Sequence, residues 1–341
     1  LEQAGLWLLH SGIQSANGGV ARYYRADIQQ NLPLSTEITG YALAGFCFCF
    51  EKTGMQEYLD AARKASEFLT REAWDSDSRT MPFELSSGGR YSYFFDCGII
   101  ARSLLWMWRL TGNEECLAVA RGICESMAND FRALQGFHPI ILLPCKSPEQ
   151  HSIWWSRMPG AFQLKAALAW LDLAQETGEE SFAALYEEML AFSLRRHPET
   201  LDNETDRPKL MDRLHAWSYF LEGLAPVRER PEVSAVYAAA LVRGENLLEE
   251  LAGGFVRSDA CAQLYRARLL LGGPPGQGKV ARIESFQWHS EDVRLRGSFA
   301  FGRRNGEVIP HANPVSTVFA LQTLALASSH EAAALDWRKL I

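Results

Sequence analysis

The sequence predicts an all-α protein in which six helical hairpins close into an (α/α)6 toroid. Three observations predict it. A Thr-Gly pair followed by acidic residues recurs between helical patterns, at Thr53-Gly54, Thr111-Gly112 and Thr177-Gly178. Helices that are apolar nearly all round alternate with amphipathic ones. An unpartnered helical pattern stands at each end of the chain, so that pairing the two closes the ring.

Each Thr-Gly reads as the tight turn of an αα-hairpin, because glycine takes the left-handed conformation that stops a helix and acidic residues suit the first turn of the next. The first helix of each hairpin is buried on every side. Tyr41 to Phe50 carries no charge, and Cys97 to Leu110 carries only Arg102 and Arg109. The second is amphipathic: Tyr58, Leu59, Ala62, Ala65 and Leu69 recur at helical spacing against Asp60, Arg63, Lys64 and Glu67. First helices are predicted to begin near Ile38, Asp96, Gly160, Asp212, Ser258 and Pro314, and second helices near Glu57, Asn113, Glu180, Pro231 and Gly278. The N-terminal helix, Glu2 to Leu9, is predicted to pack on Pro314 to Ala327, which has only a short charged tail after it. A solenoid would instead show polar capping repeats at both ends. The whole of 1–341 therefore reads as one domain. It is long for a single core, which usually stops growing at about 250–300 residues, but a ring adds a slice of core with each repeat.

Composition narrows the function classes. Of the 341 residues 47% are hydrophobic and 22% charged, a globular balance, and the net charge is −7 with no basic tract, which argues against nucleic acid. Seven cysteines lie mostly in apolar helical stretches without a C-x-x-C pair, so they read as buried free thiols, not a zinc site, and point to the cytoplasm. The uncharged stretch Ile38 to Phe50 is too short to span a bilayer, which takes about 20 residues. No signal peptide is visible, although a chain that starts at Leu1 is consistent with a trimmed leader or upstream segment. No cofactor and no metal is implied, and the expected partner is a sugar or glycan. The turn Gly272 to Lys279 is rich in glycine but lacks the Gly-Lys-Ser/Thr ending of a phosphate loop. Glu291 and Asp292, beside His289, are cation ligands in kind, without the spacing of a calcium loop.

The periods exceed those of short helical repeats because the loops entering the first helices are long: Asn17 to Glu37, Ser76 to Phe95, Gln135 to Pro159, Pro198 to Met211 and Ser290 to Asn313. All five should reach one face, where a site is expected. Asp96 is the first candidate acid, at the mouth of a buried helix beside Tyr91, Tyr93, Phe94 and Phe95; an apolar surround would raise its carboxyl toward a useful range, and the plain alternative is an N-cap. Asp212 and His215 share a helix face at i and i+3, as an acid/base pair or as a cap with a satisfied histidine. Asp259 and Gln263 repeat that arrangement more weakly. Arg22-Tyr23-Tyr24-Arg25 and Trp154-Trp155-Ser156-Arg157 combine aromatic faces with guanidinium groups, suited to sugar rings and sugar carboxylates, with Arg157 the best carboxylate ligand. The alternative is loop packing. His311 is a candidate base, while Asn313-Pro314 reads as a cap and first helical residue. One wide cleft lined by Tyr23, Arg25, Tyr93, Asp96, Trp155, Arg157, Asp212, His215 and His311 is the expectation.

Thr39-Gly40-Tyr41, Phe95-Asp96-Cys97-Gly98 and Ser156-Arg157-Met158-Pro159-Gly160, opening the first three buried helices, give the chain a resemblance to the six-hairpin glycosidase superfamily over essentially its whole length. That superfamily includes glucuronyl hydrolases, sugar epimerases and uronate lyases. The resemblance implies a carbohydrate-active enzyme acting on an oligo- or polysaccharide, with uronates among the candidates, by hydrolysis, elimination or epimerisation. It also supports Asp96, since glucuronyl hydrolases use an Asp at such a helix mouth as general acid. Two other classes are compatible with a toroid: a glycan-binding scaffold without catalysis, and a terpene-cyclase type, which Gly297 to Phe301 and Ser316 to Gln322 resemble faintly but whose Asp-rich motif is missing.

Overall fold

A computed structural model describes residues 2–85, 91–150, 154–202, 204–273, 276–329 and 335–341. Parts of three of the predicted entry loops, and Pro274 and Pro275 of the glycine-rich turn, lie outside the described residues. The chain forms two compact units.

The mid-chain unit, 14–21 with 33–197, holds three hairpins. They are α1 (Thr36–Thr53) with α2 (Gln56–Glu67), α3 (Phe94–Thr111) with α4 (Glu114–Asn129), and α5 (Gln163–Thr177) with α6 (Glu180–Arg196). All three Thr-Gly turns have one geometry. Gly54, Gly112 and Gly178 cap α1, α3 and α5 at φ of 69°, 68° and 75°. The threonine hydroxyl before each donates back to the carbonyl four residues earlier: Cys49, Met107 and Leu173, at 2.8–2.9 Å. The left-handed glycine needs no side chain and the hydroxyl satisfies a terminal carbonyl, which is why this dipeptide recurs. The first helices α1, α3 and α5 are buried along most of their length and pack on one another in sequence. Gly98 permits the closest approach, since a Cβ there would lie 2.4 Å from the Ala166 carbonyl oxygen of α5.

The terminal unit, 1–13 with 22–32 and 198–341, holds the other hairpins. These are α7 (Arg207–Gly223) with α8 (Pro231–Leu251), α9 (Ser258–Leu270) with α10 (Gln277–Glu284), and α11 (Pro314–Ser329) with the N-terminal helix αN (Glu2–His10). The predicted pairing of the two ends is therefore present. The Trp7 indole N–H donates to the Arg294 carbonyl at 2.8 Å, and Gly297, at φ 87°, lets its loop press on the Gln3 carbonyl. The tail is not the charged appendage the sequence suggested: Leu340 and Ile341 are buried, and Leu340 packs with Ala225 and Leu270.

The entry loops carry short antiparallel strands that helical periodicity does not reveal. Tyr91–Tyr93 pairs with Ile140–Leu142 in the mid-chain unit. In the terminal unit Phe255–Arg257 pairs with Gly302–Arg304, and His311–Ala312 with Tyr24–Arg25. All seven cysteines are unpaired, six of them buried and Cys145 exposed.

Candidate functional site

The terminal unit concentrates buried polar chemistry where a short strand hands over to a buried helix. Phe255–Arg257 ends as α9 begins at Ser258, which sets Arg257 and Asp259 side by side. Arg257 grips Asp259 with Nε and Nη2 at 3.0 and 2.7 Å, and its Nη1 reaches Asp212 on α7 at 3.0 Å. The guanidinium lies 4.7 Å over the Phe301 ring. Burial would raise the Asp259 carboxyl, but Arg257, His215 and the Ala260 amide outweigh it and hold it below the usual carboxylate value. Asp259 is thus a fixed negative charge, and Arg257 is a permanent cation.

His215, on α7, packs against this pair. Its Nδ1 lies 2.7 Å from Gln263 Oε1 and 3.7 Å from Asp259 Oδ1, and its ring sits 4.3 Å from that of Tyr219. Burial first, then Arg257, push its pKa down to about 4, against the opposing pull of Asp259, Gln263 and Glu222. The ring is neutral at pH 7. Gln263 Nε2 in turn donates to Glu222 at 3.0 Å, and Glu222 pairs with the buried Arg266.

His311 forms a second group in the same unit. Its strand registers it opposite Arg25, and its ring stacks on Tyr23 at 4.5 Å and lies 6.4 Å from Phe301. Partial burial, then Arg25, lower its pKa, with Asp27 opposing. Arg25 is occupied by Asp27, to which its Nε donates at 3.0 Å.

The mid-chain unit supplies an aromatic group. Tyr93 ends its strand as α3 begins and stands half-buried 4.7 Å from Phe83. Burial and Asp96 raise its phenol, while Arg157, hydrogen-bonded to it, pulls the other way. Trp155 meets Phe162 edge-on at 5.1 Å, and Phe162 meets Phe95 at 5.9 Å. Trp154 is 58% exposed. An exposed indole on the short turn that carries Arg157 is the composition of a sugar-stacking surface.

Several sequence-based placements need correction. Asp96 is not an N-cap: α3 starts at Phe94 behind Tyr93, so Asp96 sits in the first turn, buried at 6% exposure. Asp212 does not open its helix either. Asp206 caps α7, accepting from the Lys209 amide at 3.0 Å with Pro208 in the first turn, and Asp212 lies a turn further on, 40% exposed on Arg257. Between Arg22 and Arg25, Tyr24 is buried with the Arg294 guanidinium 5.0 Å from its ring. The cap reading of Asn313 holds, as it accepts from the Ser316 amide at 3.0 Å. Asp292 and Glu291 bind Arg294 and Arg296, and among the described residues no three His, Cys, Asp or Glu side chains are placed to hold a metal ion.

Sequence reasoning missed Arg257, Glu222 and Arg266. The signal for the last two was present: a charge inside a buried helix needs a partner, and Glu222 and Arg266 both lie in stretches otherwise nearly apolar. Arg257 had no such mark, because Asp212 lies far from it along the chain and meets it only in the fold.

No protein-family model and no curated protein matches the sequence. Solved structures do. A cellobiose 2-epimerase from Spirochaeta thermophila superposes with a TM-score of 0.73 at 14% identity, covering 96% of this chain and 94% of that one. The chain has the six-hairpin (α/α)6 fold. A D-mannose isomerase matches at 0.67 and 9% identity over 96% and 95% of the two chains. An α-1,6-mannanase from a Salegentibacter species matches at 0.59 and 14% over 98% of each. Among the described residues no helix is long and apolar enough to cross a membrane.

Proposed function

We propose that the chain is a carbohydrate-active enzyme that moves a proton beside the carbonyl of a reducing sugar, as an epimerase or isomerase. The observation that carries this reading is His215: a buried imidazole kept neutral at about 4, with the charged Asp259 3.7 Å from its Nδ1. A neutral imidazole is free to accept a proton, and a fixed carboxylate beside it stabilises the imidazolium that forms. His311, also with a lowered pKa, is the second proton carrier in the same unit, and Tyr23 and Arg22 offer sugar contacts there. Two of the three neighbours named above, a cellobiose 2-epimerase and a D-mannose isomerase, agree with this chemistry. Hydrolysis by two carboxyl groups fits the terminal unit less well, because Asp212 and Asp259 are both committed to Arg257.

A second reading, glycan hydrolysis or elimination with Asp96 as acid, is favoured by the burial of Asp96 beside Tyr93 and by the Trp154, Trp155 and Arg157 group of the mid-chain unit. The test is a screen of reducing mono- and disaccharides, mannose and cellobiose first, alongside uronate-containing polymers. The proposal expects turnover of a reducing sugar that His215→Asn lowers by at least about 100-fold. Full activity in His215→Asn, or cleavage of glycosidic bonds that Asp96→Asn abolishes, would replace the first reading with the second.

A further inference from the structure

The polar chain behind His215 decides which of its ring nitrogens carries the proton. Glu222, wholly buried on α7, pairs through Oε1 with Arg266 Nη2, and the same Nη2 donates to the Ile341 carbonyl at 2.8 Å. Arg266 Nη1 donates to Gln322 Oε1 at 2.7 Å, and its guanidinium lies 4.8 Å over Phe319. A carboxylate only accepts hydrogen bonds. The Gln263 amide, 3.0 Å from Glu222 Oε2, must therefore turn its NH2 toward Glu222 and its carbonyl oxygen toward His215. An oxygen 2.7 Å from Nδ1 requires the proton on Nδ1. Asp259 Oδ1, 3.7 Å from the same nitrogen, favours that arrangement too.

We infer that Gln263, oriented by the Glu222–Arg266 ion pair, is a positioning residue that locks neutral His215 as the Nδ1–H tautomer and leaves Nε2 as the basic nitrogen. The inference rests on the reading of His215 as the base only for its catalytic meaning, since the tautomer belongs to the substrate-free protein. The groups facing the ring are Asp259, Arg257, Gln263, Glu222 and Tyr219, and none other than Gln263 couples the proton position to a fixed amide. One histidine, one glutamine and one ion pair thus form a relay that ends at the buried Ile341. A neutral imidazole in water samples both tautomers; here the minor one would set Nε2–H as the donor and leave two acceptors face to face at 2.7 Å.

Long-range 1H–15N correlation spectra of the histidine-labelled, substrate-free protein read the tautomer directly, with His215→Gln assigning the signal. The expected result at pH 7 is a protonated Nδ1 and an unprotonated Nε2. In Gln263→Leu, whose folding circular dichroism checks, the single tautomer should give way to a mixture. A wild-type ring protonated on Nε2 would overturn the inference, as would a folded Gln263→Leu protein with an unchanged tautomer. Absence of sugar turnover would leave this result standing, and a wrong tautomer would leave the sugar screen standing, so the two failures are distinguishable.

Discussion

Asp172 in the mid-chain unit and Asp259 in the terminal unit are both buried beside an arginine, and the two behave oppositely. In the mid-chain unit Asp172 accepts from Arg109 Nη1 at 2.7 Å, and its second oxygen has no hydrogen-bond partner among the described residues. Burial wins, and the carboxyl is pushed up to about 6 despite Arg109 and Arg102. In the terminal unit Asp259 receives a two-point grip from Arg257 and the Ala260 amide, and its carboxyl falls below the ordinary value. The lesson is that burial sets the size of the perturbation and the number of donors sets its sign. The regular mid-chain unit tolerates a marginal charge; the terminal unit, with its irregular turns, holds a permanent one beside a histidine.

The sharpest way to break the comparison is to remove each arginine. Arg257→Met strands a buried charge and should cost about 3–5 kcal/mol in urea unfolding. Arg109→Met should cost less, about 1–3 kcal/mol, because Asp172 can take up a proton and become neutral. Equal losses would show that the two carboxylates are held alike.

Acidity sharpens the same contrast. The Asp172 carboxyl is raised in the fold, so its contribution is fully present below the unfolded value of 3.8 and is lost as pH rises through about 6. Stability of the wild type relative to Asp172→Asn should therefore fall by about 2 kcal/mol between pH 4 and 6, out of about 3 kcal/mol over the whole titration. Asp259 is lowered, so its contribution is present above the ordinary carboxylate value and is lost as pH falls through the folded one. Relative to Asp259→Asn, the wild type should lose stability on acidification below pH 4. Parallel slopes in the two paired urea titrations would contradict the assignment.

Smaller effects probe the packing. Gly98→Ala forces α3 off the Ala166 carbonyl and should lower stability by about 1–3 kcal/mol. Gly112→Ala meets no neighbour within 4 Å, so only the left-handed backbone resists it, at about 1 kcal/mol. Thermal melts should rank the two in that order.

Local chemistry made the hairpins legible. The Thr-Gly turns mark three helix ends because glycine and a hydroxyl solve the same terminal problem each time, and Asn113, Ser258 and Pro314 stand at or beside the starts read from the sequence. The misplacements trace to longer-range causes. Phe94 begins α3 because Tyr93 is fixed by pairing with Ile140, a partner far along the chain. The start of α7 was readable from Asp206 and Pro208, a cap followed by a first-turn proline, but lay inside a stretch taken as loop. Of the site, His215, Asp212 and His311 were legible by type and position, whereas Arg257, which joins Asp212 to Asp259, was visible only once strand and helix had met.

Solvent exchange at C2 reports directly whether a proton is removed there. Reducing aldoses and disaccharides are incubated with the protein in deuterated water, and C2 is followed by proton NMR. The account predicts deuterium at C2 of at least one sugar, with or without net conversion, and loss of that exchange in His215→Asn while the fold is retained. Turnover of a sugar or glycan without any exchange at C2, or exchange that persists undiminished in His215→Asn, would contradict it.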